Sequence, residues 1–303
     1  MTARLLRITI IPLALSLLTG CDTLRLQAFA TFAGLGSAYI TAFHGLTRQA
    51  GSAQIATDSA VAIRARDAAG SANVAADAAA YRTQIKAADQ DLTRYLANLQ
   101  LLDAHATMLG NYFNAITAIT DGKAADAISA SADSMATSIG VFNPRIKDMK
   151  IAGKPVADFV KPATRLIVTH FAIKALNQRL ERDAPIIDEA LALQEAAVAA
   201  LSAQLADALA ASLQLQEMTA VIQPYVKDAP LPESWSRDRE AYVRTRLSLE
   251  SANGAKEAIR ELHLAFRDLV ENPAPNHDLH ALIQAVQSMS TYVGELGAAH
   301  PSH

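Results

Sequence analysis

Histidine and cysteine offer the most chemistry among the side chains of this 303-residue sequence, which has eight histidines and one cysteine. His277 and His280 stand three residues apart near the start of a predicted helix, so both imidazoles could contact one metal ion. A catalytic zinc site built on one helix needs the pattern His-Glu-x-x-His, which the sequence lacks, and no third ligand is evident. The surrounding loop is polar, so we expect both histidines to be solvated and predict no metal site.

Motifs for covalent catalysis or phosphoryl transfer are missing as well. The sequence has no Gly-x-Ser-x-Gly elbow, and the stretch 34–38 (GLGSA) lacks the preceding strand and the Gly-Lys-Ser/Thr ending of a phosphate loop. Asp188 and Glu189 are adjacent on a predicted helix and face different directions, which makes them a poor acid–base pair. We therefore predict a non-enzymatic protein, with an enzyme whose site is assembled from distant residues as an alternative.

Cys21 follows a segment typical of a secretory signal. Two arginines in the first seven residues form a basic start, and residues 8–18 are almost wholly apolar, a run shorter than the roughly 20 residues that span a bilayer. The next motif, Leu18-Thr19-Gly20-Cys21, resembles the lipobox of bacterial lipoproteins. The resemblance implies that residues 1–20 are a signal peptide removed before Cys21. It also implies a diacylglycerol on the sulfur of Cys21 and an acyl chain on its new amine.

The lipid anchor implies a location. Several acyl chains on one residue hold a protein stably at a membrane, because each buried CH₂ contributes about 0.8 kcal/mol. Asp22 resembles the signal that keeps enteric lipoproteins in the inner membrane, which implies an inner-membrane protein facing the periplasm, with the outer membrane as the alternative. A lipidated Cys21 leaves no thiol, so we expect no disulfide and a domain stabilised by packing. Besides the chains on Cys21 we predict no cofactor.

Composition predicts an all-α domain. Hydrophobic residues make up 51% of the chain but aromatic residues only 5%, and much of the difference is alanine, the best helix former. Apolar residues repeat at helical spacing, and no alternating strand pattern is convincing. We predict a bundle of six or seven long, mostly antiparallel helices over residues 21–303, with 21–142 and 143–303 as candidate sub-units.

Glycine and proline set the predicted helix boundaries. Gly51 and Gly70 are candidate breaks in the first helix, Gly254 strains a late one, Asn143-Pro144 begins a loop, and Asp183 with Pro185 marks the start of a helix. The predicted helices are 24–69, 73–120, a short helix ending near 140, 163–181, 183–222, 234–271, and a last helix from 276 or 278 to about 297.

Residues 26–47 contain no charged side chain and are long enough to cross a bilayer. Topology argues against crossing, because a spanning helix directly after an anchor on the outer face of the inner membrane would return the chain to the cytoplasm. We predict a core helix. The alternative is a face for self-association or for a partner, because small residues spaced by four allow another helix to approach closely. That face comprises Phe29, Phe32, Gly34, Gly36, Ala38, Tyr39, Ala42 and Phe43.

Charge is unevenly distributed, although the whole chain has a net charge of only −3. Residues 145–182 include nine basic and three acidic side chains, whereas 183–222 include six acidic side chains and no lysine or arginine. We predict that the two segments pair as neighbouring antiparallel helices, with each exposed ion pair worth at most about 1 kcal/mol. Alternatively, the basic stretch lies on anionic lipid headgroups. Its contacts would be Arg145, Lys147, Lys150, Lys154 and Lys161.

These features together predict a membrane-anchored lipoprotein that works by binding. The acidic balance does not suggest nucleic acid, and we expect a protein partner, with a homo-oligomer as one form of it. The first hypothesis is a scaffold or assembly factor of the cell envelope, and the second is an immunity-type protein that neutralises a toxin at the membrane. Trp235, beside a proline-rich loop, is interpreted as a packing anchor, with a partner-binding hot spot as the alternative.

Overall fold

The computed structural model describes residues 10–69, 78–121, 125–151, 154–160, 166–167, 174–227, 229–250, 253–272 and 279–299. The α-helices in these ranges are α1 (Ile10–Ala69), α2 (Ala78–Thr120), α3 (Ala125–Asp148), α4 (Lys174–Gln216), α5 (Gln223–Val226), α6 (Trp235–Glu250), α7 (Asn253–Glu271) and α8 (Leu279–Ala299). The predicted all-α bundle is confirmed, with eight helices in place of six or seven.

Short elements connect the helices. A two-residue antiparallel hairpin follows α3, with β1 (Lys150–Ile151) paired to β2 (Lys154–Pro155), and a 3₁₀-helix (Val156–Phe159) continues from it. A π-helix (Glu217–Ile222) joins α4 to α5. The hairpin is too short to show the alternating pattern by which a strand is read from sequence.

An aromatic cluster lies at the centre of the core. Phe32 of α1 contacts Phe29 with ring centroids 5.8 Å apart, Phe113 of α2 at 5.6 Å in an edge-to-face geometry, and Phe266 of α7 at 5.9 Å. All four rings are fully buried. Each such ring contributes about 1.5–3 kcal/mol by leaving water, and edge-to-face pairs add about 0.5–1.5 kcal/mol. The stripe on α1 therefore holds three helices together.

Helices α1 and α2 form a long antiparallel hairpin with a close helix–helix approach. A Cβ atom on Gly36 would lie 2.6 Å from the ring of Phe113, and one on Gly51 would lie 3.3 Å from Leu96. Glycine is required at Gly36 because the neighbouring atoms belong to a fully buried aromatic ring that cannot move aside. Since the residue numbers on α2 fall as those on α1 rise, the C-terminal part of α1 lies beside the N-terminal part of α2.

Helix α7 runs antiparallel to α1. Phe266 packs on Phe32, and the buried guanidinium of Arg25 donates hydrogen bonds to the carbonyl oxygens of Leu269 (3.0 Å) and Val270 (3.5 Å). Carbonyls in the last turn of a helix have no partner within it, so the Arg25 cation satisfies them and complements the helix dipole. We call the end of the bundle that contains Arg25 the proximal end and the opposite end the distal end.

Helices α8 and α4 run in the same direction as α1. Val293 of α8 lies against Gly45, and Gln49 lies within 3.2 Å of where a Cβ on Gly297 would stand. On α4, Asp188 contacts His263 of α7, and Gln204 donates a hydrogen bond to Gln54 of α1 (2.8 Å). The contact of Gln204 lies farther from the proximal end than that of Asp188, so α4 runs in the direction of α1. The boundary at 142/143 considered for two sub-units falls inside α3, and core side chains from both sides of it form one cluster.

Several predicted helix boundaries are wrong. Gly51 does not break α1, and Pro144 lies inside α3, which continues to Asp148. Leu166 and Ile167 are not helical, so the helix predicted to begin at 163 begins at Lys174. The predicted helix 234–271 corresponds to α6 and α7, and residues 251–252 lie outside the described residues. Gly70 lies outside the described residues.

Asp183 is not a helix cap. Helix α4 continues through Pro185 to Gln216, and the fully buried carboxylate of Asp183 accepts hydrogen bonds from Arg179 (3.3 Å) and Arg182 (2.6 Å) on the same helix. A proline inside a helix costs about 3 kcal/mol, which the buried apolar side chains of the next two turns of α4 offset. Lys174, Arg179 and Arg182 lie on the same helix as the acidic segment, so the predicted antiparallel pairing does not form between these three residues and that segment.

Candidate functional site

The distal parts of α1 and α2 extend beyond the bundle as a two-helix arm, residues 54–69 and 78–98. Core burial on α1 stops at Ala53 and on α2 begins at Leu99, and most described side chains of the arm are exposed. Alanine is frequent in both segments, so the helices persist by intrinsic propensity where packing ends. The arm is therefore a protruding element whose surface is available for contacts.

A groove with a volume of about 800 Å³ runs along one face of the arm. Lys150 of β1 and Gln204 of α4 close its base. Val61, Ile63 and Ile85 line it and are 55%, 58% and 50% exposed. Its apolar side chains include Val61, Ala62, Ile63, Ile85, Leu92 and Tyr95. A continuous apolar surface of this kind on a helical protein is typical of an interaction site.

The polar groups of the groove lie at its ends. Near the base, Gln54 donates to Asp58 (3.0 Å), and Asp91 forms an exposed ion pair with Arg94 (3.3 Å). Arg66 lies near the tip and makes no ion pair within the described part of the chain. Burial raises the pKa of the Tyr95 hydroxyl well above its usual value, so this group is a neutral donor in the groove. The groove thus combines an apolar middle with charged groups of both signs at its base and Arg66 near its tip.

A second cavity, about 1170 Å³, lies between α1, α2 and α8 and contains a histidine–aspartate pair. Nδ1 of His44 lies 2.5 Å from Oδ1 of Asp103, and the Thr47 hydroxyl donates to the same oxygen (3.1 Å). A catalytic pair of this type would direct the other nitrogen of His44 at a nucleophile. The hydroxyls of Thr41 and Thr47 bond to other acceptors, so neither is activated by His44. The pair joins α1 to α2.

A buried network around His105 joins α2, α3 and α4. Gln194 Nε2 lies 2.9 Å from Nδ1 of His105, and Asn143 Oδ1 lies 3.0 Å from Nε2. The Asn143 side-chain nitrogen donates a hydrogen bond to Glu189 (3.2 Å), which also binds Lys147. The Asn143 side-chain oxygen therefore faces His105 and accepts a hydrogen bond from the imidazole. Burial lowers the pKa of His105 to about 4, although the Asn143 hydrogen bond acts in the opposite direction. His105 is therefore a neutral structural residue at pH 7.

His263 on α7 lies between two acids of α4. Its Nε2 is 2.9 Å from Asp188 and its Nδ1 is 3.3 Å from Glu195, while Arg267 lies 3.8 Å from Asp188. Burial lowers the pKa of His263, but the hydrogen bonds and charges of the two acids outweigh it and raise the pKa overall. The charged imidazolium thus stabilises the α4–α7 contact. None of the described side chains form a cluster suited to a metal ion.

The predicted site residues do not converge on one place. Cys21 and Asp22 lie in the backbone of α1 at the proximal end, and the structure does not describe their side chains. In the predicted association face, Gly34 and Ala38 are exposed. The remaining members are buried in the core: Phe29, Phe32, Gly36, Tyr39, Ala42 and Phe43.

The predicted basic surface is dispersed in the same way. Arg145 lies over the ring of Phe142 (5.1 Å), Lys147 pairs with Glu189, Lys150 lines the groove and Lys154 is exposed on β2. Lys161 and His277 lie outside the described residues. His280 contacts Gln284 at 2.9 Å.

Trp235 lies at the distal end of α4 and α6. Its indole Nε1 donates to the Val221 carbonyl (3.0 Å), and Tyr225 stacks on its ring at 5.7 Å. Both contacts are expected of a packing anchor.

Sequence reasoning missed the groove. The signal was present, because Val61, Ile63 and Ile85 are large apolar residues within alanine-rich, polar segments. Apolar residues in a helix are normally assigned to the core, so the pattern alone did not indicate that these three remain exposed.

By length and hydropathy, one helix among the described residues, Leu24–Asp67, could span a membrane, because it contains a stretch of 18 residues with a mean hydropathy of 1.2. A core helix meets the same test, and 44% of that stretch is buried. Phe32 and its neighbours pack against α2 and α7, as expected of a core helix.

The chain matches no protein-family model, and comparison with curated proteins and with solved structures finds no match.

Proposed function

We propose that this protein is a membrane-anchored lipoprotein that faces the periplasm and acts as a non-enzymatic binding or scaffold protein of the cell envelope. The groove on the arm is the proposed binding surface. The observation that carries the proposal is the exposed apolar lining of this groove, because exposed apolar patches on proteins mark interaction sites.

The position of the groove supports the same proposal. The lipobox resemblance places the lipid on Cys21, at the proximal end of α1, and the groove surrounds Ala62 on the same helix. A helix rises about 1.5 Å per residue, so the groove lies roughly 60 Å along α1 from the anchor. An anchored bundle with this geometry presents its binding surface away from its point of attachment.

The anchoring half of the proposal is tested by Cys21→Ser. We expect the substituted chain to lose lipid labelling and to remain uncleaved by the lipoprotein peptidase, because the sulfur is the point of modification. A substituted chain that is still labelled, or that stays fully in the membrane fraction after salt washing, would contradict this anchoring.

The binding half is tested by in-cell crosslinking. A photo-crosslinking amino acid replaces Ile85 in the groove or, as a matched exposed apolar control, Val141 on α3. After illumination, affinity purification and mass spectrometry identify the adducts. We expect one stoichiometric adduct from position 85 and none from position 141. No adduct from position 85 would remove the groove as the binding surface.

A further inference from the structure

We infer that the proximal end of the bundle rests directly on the bilayer, with Leu24 and Ile167 among the lipid headgroups as a second contact beside the acyl chains. This inference rests on the proposed function, because it takes Cys21 as the lipidated residue. The partner of this surface is a lipid bilayer, and the contact is apolar. The argument depends on how close the folded core lies to Cys21 and on which side chains are exposed there.

Helix α1 carries the chain from Cys21 into the core without interruption. Arg25, one turn later, is already buried, and its guanidinium donates hydrogen bonds to the carbonyl oxygens of Leu269 and Val270. Phe29 is fully buried after one further turn. A helix rises about 1.5 Å per residue, so the core begins roughly 6 Å along the axis from Cys21. The proposed anchor is thus joined rigidly to the bundle.

This distance is comparable to the thickness of a headgroup layer. The headgroup region on each side of a bilayer is about 5–7 Å thick. Leu24 lies three residues after Cys21, so it is only about 4.5 Å farther along the helix axis. With the acyl chains of Cys21 in the hydrocarbon, Leu24 lies within the headgroup layer. The end of the bundle around Leu24 then touches the membrane surface.

The proximal end exposes apolar side chains. Leu24 is 68% exposed and Ile167 is 69% exposed, which are among the highest values for large apolar residues in the described part of the chain. The backbone nitrogen of Ile167 donates to Glu271 (3.4 Å), which follows Val270 at the end of α7. Since Val270 accepts a hydrogen bond from Arg25, both exposed side chains lie at the same end of the bundle. Beside a lipid anchor, they gain by leaving water for the membrane interface.

Charge at the proximal end favours a contact that does not depend on anionic lipid. Arg25 is bound by helix carbonyls, and Glu271 accepts a hydrogen bond from Arg267 (3.4 Å). Asp121, at the end of α2, is exposed. A surface with these groups has no excess of positive charge to attract anionic headgroups. We therefore expect the contact to form on zwitterionic lipid.

The first test attaches a nitroxide to an introduced cysteine in the full-length chain, purified from membranes and reconstituted into phosphatidylcholine vesicles. The variants are Leu24→Cys and Ile167→Cys. The matched control is Val141→Cys, because Val141 is also apolar and is 64% exposed. Val141 lies two residues from Asn143, which contacts His105. His105 is about 20 Å along α2 from the end of that helix, so the control position is far from the proximal end.

Collisions of the label with oxygen, which concentrates in lipid, and with a water-soluble nickel complex report its surroundings. We expect the labels at positions 24 and 167 to collide mainly with oxygen, and the label at position 141 to collide mainly with the nickel complex. Nickel collisions at 24 and 167 equal to those at 141 would overturn the inference. Protection of both labels from both reagents, as under a protein partner, would overturn it as well.

The unsubstituted chain separates failure of this inference from failure of the proposed function. A lipidated Cys21 has no thiol, so the unsubstituted chain should take up no nitroxide. Labelling of the unsubstituted chain would overturn both the anchor and the inference. An unlabelled unsubstituted chain, combined with water-exposed labels at positions 24 and 167, would keep the anchor and overturn the contact of the bundle with the bilayer.

A second measurement uses tryptophan in place of the nitroxide, so that the result does not depend on the size or chemistry of the label. Leu24→Trp, Ile167→Trp and Val141→Trp each add one indole, and lipids brominated near the headgroup quench an indole that lies close to them. Trp235, at the distal end, provides a background that should not be quenched. We expect quenching of the added indole at positions 24 and 167 but not at 141. Equal quenching at the three positions, or none at any, would contradict the contact.

Discussion

Acidification is expected to destabilise this protein in part through one buried histidine. His105 is neutral in the folded chain because burial lowers its pKa to about 4, whereas in the unfolded chain its pKa is the ordinary 6.5. Between these two values the unfolded state binds a proton that the folded state does not, so the free energy of unfolding falls as the pH falls. One pKa unit corresponds to about 1.36 kcal/mol, so the loss between pH 6.5 and pH 4 is about 3 kcal/mol. That is a large part of the roughly 5–15 kcal/mol by which a domain is stable.

The measurement is urea unfolding of the detergent-solubilised chain, followed by circular dichroism at several pH values between 7.5 and 4. The matched variant is His105→Gln, which keeps a donor and an acceptor for Asn143 and Gln194 but does not titrate. Carboxylates titrate equally in both chains, so the difference between their unfolding free energies isolates His105. At pH 7 we expect the variant to be less stable than the unsubstituted chain. As the pH falls to 4, the difference between their free energies of unfolding should shift in favour of the variant by about 3 kcal/mol. Parallel curves would refute the assignment of a buried neutral imidazole.

Two further predictions concern the core contacts. The pKa of His263 is raised in the folded chain, so its contribution to the free energy of unfolding is fully present below pH 6.5 and is lost as the pH rises through its pKa in the folded state. In the same urea assay, His263→Gln should therefore be less stable than the unsubstituted chain at pH 6 and approach its stability at high pH. A pH-independent difference would contradict the charged pairing with Asp188 and Glu195. Gly36→Ala should cost about 1–3 kcal/mol, because the added methyl would meet the Phe113 ring at 2.6 Å, while Gly34→Ala, which meets nothing within 4 Å, should stabilise the chain by about 0.5–1 kcal/mol; equal effects in urea unfolding would show that α1 and α2 are not in close contact.

Local sequence predicted the elements that depend on local chemistry. Alanine-rich composition and apolar spacing predicted the all-α bundle, and the Phe29–Leu46 stripe is buried as a core helix should be. The boundaries at Pro144 and Pro185 were wrong. Ile146 beside the first and Ala184 and Ile187 beside the second are buried, and their packing outweighs the preference of proline for a helix end. Asp183 likewise lies inside the helix and not at its end, because the guanidinium groups of Arg179 and Arg182 bind its carboxylate there.

The sequence by itself determined that the chain is helical, and it predicted an anchor at Cys21, because helix propensity, apolar periodicity and a signal motif are properties of neighbouring residues. Only the tertiary structure decided which apolar residues stay exposed. Val61, Ile63 and Ile85 have the same residue types as many core positions. They line an exposed groove because core burial on α1 stops at Ala53 and on α2 begins only at Leu99. Which residues of α2 lie beside Asp58 and Arg66 likewise follows from the register of the α1–α2 hairpin. That register is set by contacts between residues far apart in the chain.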